Sequence, residues 1–220
     1  MKFKTIIFDF DGTLIESVGI KNLAFKEIFK DYPEYLDKIM EYHFSHRSVI
    51  RFDKFKFIFE EIIGKPYTKE IEEKVSSKFS QYVYEKCLIC PLVVGAKEFL
   101  DYFFGKIPLY LATINPENQL KKILEARKLI GYFKNIYPHP WSKVDAIKEI
   151  KTAEKYSNKE ILFIGDALED YQAAKATGVC FIGRNKKDAF ENADIPVFDN
   201  FFEINNFIYN NTNFILTKPF

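Results

Sequence analysis

The apolar positions change rhythm twice along the chain. Thr5-Ile6-Ile7-Phe8 is an unbroken β-branched and aromatic run, the pattern of a strand covered on both faces, as in a parallel sheet between helices. From residue 20 the spacing becomes helical. Ile20, Leu23, Ala24 and Ile28 form one stripe, and Leu36, Ile39 and Met40 resume it after the Tyr32-Pro33 break. Phe52, Phe55, Phe59 and Ile62 form a third, closed by Gly64-Lys65-Pro66, and Ile71, Val75, Phe79 and Tyr82 a fourth. Four amphipathic helices with no strand among them predict a small bundle. After Pro91 the strand rhythm returns.

Strands are expected at Ile107 to Ala112, Phe133 to Tyr137 and Glu160 to Ile164, with outer strands at Cys180 to Ile182 and Ile195 to Val197. Helical segments separate them, beginning near Gly95, Pro116 and Ser142, with a small-residue helix over Ala173 to Thr177 and a closing helix from Phe201. Buried strands alternating with helices predict an α/β fold with a parallel sheet. The expected division is a core of residues 1–16 and 91–220, interrupted by a helical insertion over 17–90.

Composition narrows the partners. The 32 basic and 31 acidic side chains nearly cancel, so no basic field exists to hold nucleic acid or an anionic membrane surface. No run approaches the length of a membrane span, and Asp9 and Asp11 interrupt the apolar stretch after Met1-Lys2-Phe3-Lys4 too early for a secretory leader. An odd cysteine count of 3 points to a reducing, cytoplasmic setting. Cys87 and Cys90 make a CxxC, but without a second pair or nearby histidines it reads as a buried or half-buried pair and not a metal site.

The chemistry is concentrated where strands end. The first apolar run ends in Asp9-Phe10-Asp11-Gly12-Thr13, placing two acids one pleat apart, with a glycine that lets the chain turn sharply. In an open parallel sheet this is the edge where ligands bind. Thr113 ends the second long strand, followed by Asn115 as a candidate N-cap with Pro116 at the first helical position. Ser142 and Asp145 form a capping-box-like start, with Lys143 in the first turn, where a cation opposes the helix dipole. The strand ending at Ile164 runs into Gly165 and Asp166, and Asp170 lies four residues on, so a helix starting at once would put both acids on one face.

This series of strand, Asp-x-Asp-Gly-Thr, then Thr113, Lys143 and Asp166 with Asp170 resembles the haloacid dehalogenase (HAD) superfamily in its phosphoglycolate phosphatase-like branch. The resemblance implies a Rossmann-like core in which residues 17–90 form a helical cap, and phosphoryl transfer through an aspartyl-phosphate. Asp9 would be the nucleophile, Asp11 the general acid and base, Thr113 a hydrogen-bond donor to the phosphoryl group, and Lys143 the neutralising cation. Mg2+ would be held through Asp9, the Asp11 main-chain carbonyl and Asp166, with Asp170 orienting a water. An acid at Asp11 favours a phosphate ester over a halide, which leaves without a proton. Ile114 departs from the small or amide residue usual after the threonine, so either Asn115 takes over its substrate contact or the loop differs. Specificity would come from the loop after the second helix, where His46 and Arg47 are candidate substrate-binding residues and His43 and Arg51 lie close by. The expected substrate is a small phosphorylated metabolite, a sugar phosphate or a phosphoglycolate-like acid. A phosphomutase with the same core and a phosphate-sensing module without turnover are the alternatives.

Overall fold

The structure, a computed structural model, describes residues 3–46, 49–184, 190 and 193–210. The chain forms two compact units, residues 1–16 with 90–220, and residues 17–89. Strand β1 (Thr5–Phe8) opens the first unit and is buried along its whole length.

The second unit is helical. It contains α1 (Val18–Ile28), α2 (Leu36–Ser45), α3 (Arg51–Phe57) and α4 (Lys69–Ile89), and α3 runs on into a π-helical turn, Ile58–Ile63, that Gly64 stops in the left-handed conformation. Its core is aromatic, with Phe25 5.4 Å from Phe55 and 5.5 Å from Phe79, and Phe29 5.8 Å from Phe59 between ring centroids. Leu23, expected on the buried stripe of α1, is 51% exposed, because Phe25 draws the buried face of the helix to its own side. Arg51 lies inside this unit, its guanidinium on Ser80 Oγ at 3.3 Å and over the ring of Phe79.

On returning to the first unit the chain forms α5 (Ala96–Phe103), β2 (Leu109–Pro116), α6 (Glu117–Ala126), β3 (Asn135–His139), α7 (Lys143–Glu154), β4 (Ile161–Gly165), α8 (Leu168–Thr177), β5 (Cys180–Arg184), β6 (Val197–Phe198) and α9 (Phe201–Asn210). All pairings are parallel and the strand order is β3-β2-β1-β4-β5-β6, the Rossmann-like α/β sheet expected. Successive residues of β1 bury opposite faces. Ile7 joins Ala146, Ile147 and Ile150 of α7 and Ala173 and Ala174 of α8. Phe8 lies against Phe99 of α5 at 6.0 Å and Phe201 of α9 at 6.1 Å. The acids that follow β1 therefore stand on a strand that packing fixes from both sides.

After β3 the chain crosses back over β1 to form β4, so β1 and β4 flank the point where the strand order reverses. In doubly wound sheets that is where a ligand crevice opens, beyond the carboxyl ends of the strands. No helix among the described residues is long and apolar enough to cross a membrane.

Candidate active site

Asp9 follows β1 directly, its N–H donating to Ile164 O of β4 at 2.9 Å, so its backbone is set by the neighbouring strand. Gly12 then turns the chain at a φ of 77°. The N–H groups of Thr13, Leu14 and Ile15 all converge on Phe10 O, at 3.3, 3.0 and 3.3 Å. Asp11 sits in this tight turn, and its Oδ2 accepts a hydrogen bond from Asn115 Nδ2 at 2.9 Å.

Asn115 does not cap α6. β2 runs extended through Pro116, which has φ −61° and ψ 139°, and α6 starts at Glu117 with no side-chain cap. The amide is left to hold Asp11. Thr113, buried within β2, accepts from the N–H of Asn115 at 3.3 Å, which leaves its own proton to donate elsewhere.

Ser142 caps α7, its Oγ accepting from Asp145 N–H at 3.0 Å, and sets Lys143 as the first helical residue. Lys143 Nζ lies 2.9 Å from Asp9 Oδ1 and also donates to Asp170 Oδ1. Asp166 and Asp170 meet for a reason other than helical spacing: α8 begins only at Leu168, so Asp166 precedes it, and Asp170 turns back to accept from Ala167 N–H at 3.0 Å. Carboxylate oxygens of Asp9, Asp166 and Asp170 lie within 4.8 Å of one another.

Asp9 and Asp170 both contact the Lys143 ammonium, and Asp166 adds a third buried carboxylate beside them. Desolvation, reinforced by the charges of Asp170 and Asp11, pushes the Asp9 carboxyl up to about 7 in spite of Lys143. Asp170 is also raised, again mainly by burial, while Lys143 only partly opposes the shift. Burial acts against the Lys143 ammonium, but Asp9 and Asp170 on either side outweigh it and hold its pKa above the usual lysine value. Hard carboxylate oxygens with surplus negative charge are the donor set that a divalent cation requires. Asp9, Asp166 and Asp170 fit such an ion.

The sequence matches the description haloacid dehalogenase-like hydrolase over residues 6–184. The chain belongs to this family. Three of its solved structural neighbours illustrate the likeness. One is a predicted phosphoglycolate phosphatase from Haemophilus somnus, with TM-score 0.73, 22% identity, and coverage of 94% of this chain and 98% of that one. Another is named as a beta-phosphoglucomutase from Thermotoga maritima, with TM-score 0.74, 18% identity, and coverage of 95% and 100%. The third is the HAD-hydrolase YfnB from Bacillus subtilis bound to magnesium, with TM-score 0.70, 16% identity, and coverage of 95% and 100%. At these identities the likeness is one of fold. No curated protein sequence matches the chain significantly.

The expected family residues thus separate into groups. Asp9, Lys143, Asp166 and Asp170 come together, and Asp11 is joined to Asn115. His46 lies in the helical unit at the end of α2, where its Nδ1 is 3.0 Å from Tyr42 O and its ring lies tilted against that of Tyr42, 4.2 Å between centroids. Arg47 lies outside the described residues. His43 is buried, its ring 3.9 Å from that of Phe25 and its Nε2 2.9 Å from Asn22 Oδ1.

Sequence reasoning missed Arg184 and Glu16. Arg184 ends β5, and its guanidinium reaches Gly12 O at 2.6 Å and both carboxylate oxygens of Glu16, at 3.1 and 2.5 Å. The signal was the one that picked out Asp9 and Asp166, a charge at the carboxyl end of a buried strand. It was hidden because the expected strand ended at Ile182, two residues short.

Proposed function

We propose that the protein is a magnesium-dependent phosphatase that hydrolyses a small phosphorylated metabolite, a sugar phosphate or a phosphoglycolate-like acid, through an aspartyl-phosphate on Asp9. The reading rests chiefly on one observation: Lys143 bridges Asp9 and Asp170 while Asp166 completes a buried acidic triad. The names of the Haemophilus, Thermotoga and Bacillus neighbours agree with phosphoryl chemistry and with magnesium. The odd cysteine count of 3 suits a reducing, cytoplasmic setting.

Lys143 holds Oδ1 of Asp9 and so orients the carboxylate for attack on phosphorus. As the new bond forms and the ester bond breaks, Asp11 gives its proton to the leaving alkoxide. Asn115 keeps the Asp11 side chain in place. Thr113 donates its hydroxyl proton to a phosphoryl oxygen, and Lys143 offsets the charge that spreads over the transferring group. In the second half Asp11 takes a proton from water, the water oxygen attacks phosphorus, and Asp9 is released. Mg2+ held by Asp9, the Asp11 carbonyl, Asp166 and Asp170 would supply the positive charge that lets a carboxylate approach a phosphate dianion.

The test is phosphate release from an aryl phosphate and a panel of phosphorylated sugars and small acids, with and without Mg2+. Release should need the cation and fall by at least about 10³-fold in Asp9→Asn, since loss of a nucleophile removes the covalent route altogether. A folded wild type that releases no phosphate from any ester, or an Asp9→Asn variant of equal rate, would overturn the reading. Faster interconversion of phosphosugar isomers than phosphate release would favour the mutase.

A further inference from the structure

The pairing of Arg184 has no direct part in phosphoryl transfer, yet it acts on the turn that carries Asp11. The turn is bonded almost entirely to itself: three N–H groups converge on Phe10 O, and Gly12 N–H reaches Ile15 O at 2.9 Å. Gly12 O points out of this local set and accepts from Arg184 Nη1 at 2.6 Å. Glu16, at the far end of the same turn, accepts from both terminal nitrogens of that guanidinium. A planar fork gripping a carbonyl at one end and a carboxylate at the other fixes the distance between them.

The residue is 3% exposed, and its charge is already matched by Glu16, so it is poorly suited to bind a substrate anion. Glu16 is also the last residue of the first unit before the chain enters residues 17–89. Its N–H donates to Pro91 O at 3.0 Å, and Ile15 pairs with Leu92, so outgoing and returning chains are joined there. Arg184 thus ties the Asp11 turn and the chain crossing to the end of β5.

We infer that Arg184, acting with Glu16, is a positioning residue that sets the general-acid carboxyl of Asp11 from the backbone side, as Asn115 sets it from the side chain. The inference rests on the phosphatase reading given above. Displacement of a catalytic group by a fraction of an ångström weakens proton transfer more than ground-state binding. The effect should then depend on the leaving group: an alkoxide needs the proton from Asp11, whereas a nitrophenolate departs without it.

The experiment measures kcat/KM, which reports only the steps through the first phosphoryl transfer. It compares an alkyl phosphate with p-nitrophenyl phosphate, using wild type, Arg184→Lys and Glu16→Gln, each confirmed folded by circular dichroism. For Arg184→Lys we expect a loss of about 10- to 100-fold on the alkyl ester, the range found when a supporting residue is removed, and less than about threefold on the aryl ester. Glu16→Gln should show the same asymmetry, more weakly, and it carries the test alone if Arg184→Lys does not fold. Equal losses on both esters, or none, overturn the inference and leave the phosphatase reading intact. A wild type inactive on both esters overturns that reading and the inference with it.

Discussion

Two lysine–carboxylate pairs stand at opposite ends of the same two strands. Before β1 and β4, Lys4 Nζ lies 2.6 Å from Glu160 Oε1, with 55% and 27% of the two side chains exposed. Beyond β1 and β4, Lys143 lies 2.9 Å from Asp9, with 13% and 6% exposed. The distances are similar and the consequences are opposite. Glu160, hydrogen-bonded by Lys4 and by the backbone and hydroxyl of Ser157, is held down to about 2. Asp9, desolvated and crowded by Asp170 and Asp11, is pushed up to about 7. Burial decides whether an ion pair merely decorates a surface or keeps a carboxylate poised for chemistry.

The sharpest way to break the comparison is to remove the buried cation. Lys143→Met should lower kcat by about 10²- to 10³-fold, the usual cost of deleting one electrostatic stabiliser of a developing charge. It also strands Asp9 and Asp170 without their shared partner, and breaking a buried pair costs about 3–5 kcal/mol. That loss should show as a lower Tm at pH 8 and shrink at pH 5, where the stranded carboxyls take up protons. An equal loss of stability at both pH values would mean that Lys143 matters for its packing and not for its charge.

The second test uses pH on metal-free protein. Because the folded-state pKa of Asp9 is raised, the native state holds a proton that the unfolded chain has released. The associated stability is complete below about pH 4, the unfolded value, and is lost as pH rises toward about 7. In a chelator, Tm should therefore fall across that window, and Asp9→Asn should flatten the fall. The groups around Asp9 include Lys143, Asp170, Asp11 and Asp166, so an unchanged slope in Asp9→Asn would move the titration to one of the other carboxyls.

Much of this site was legible in the sequence because strand ends are marked by composition. An apolar run that stops at an acid, as before Asp9 and Asp166, has few places to go in a parallel sheet except its ligand edge. Ser142 with Asp145 likewise specified a helix start that delivers Lys143. What stayed hidden depended on contacts distant in sequence. Asn115 looked like a cap until β2 was found to continue through Pro116, freeing the amide for Asp11, 104 residues earlier. Arg184 and Glu16 are 168 residues apart, and no periodicity connects them. In α1 the stripe was correct for Ile20, Ala24 and Ile28 but wrong for Leu23, because spacing gives a helix its apolar arc and the largest neighbouring ring then selects the centre of that arc.

The smallest effect is expected at the exposed pair, and its smallness is what tests the comparison. Lys4 is anchored by its backbone N–H on Glu160 O at 2.8 Å, independently of its side chain. Glu160 keeps both Ser157 donors when the ammonium is gone, at 2.8 Å each. Lys4→Ala should therefore leave kcat within about twofold and Tm within about 2 °C, as expected for an exposed ion pair whose charges water can solvate. Calorimetry beside the phosphate-release assay checks both quantities. If Lys4→Ala matched Lys143→Met in either, distance alone would be setting the strength of these pairs, and burial could not explain why the carboxyl of Asp9 is raised and that of Glu160 lowered.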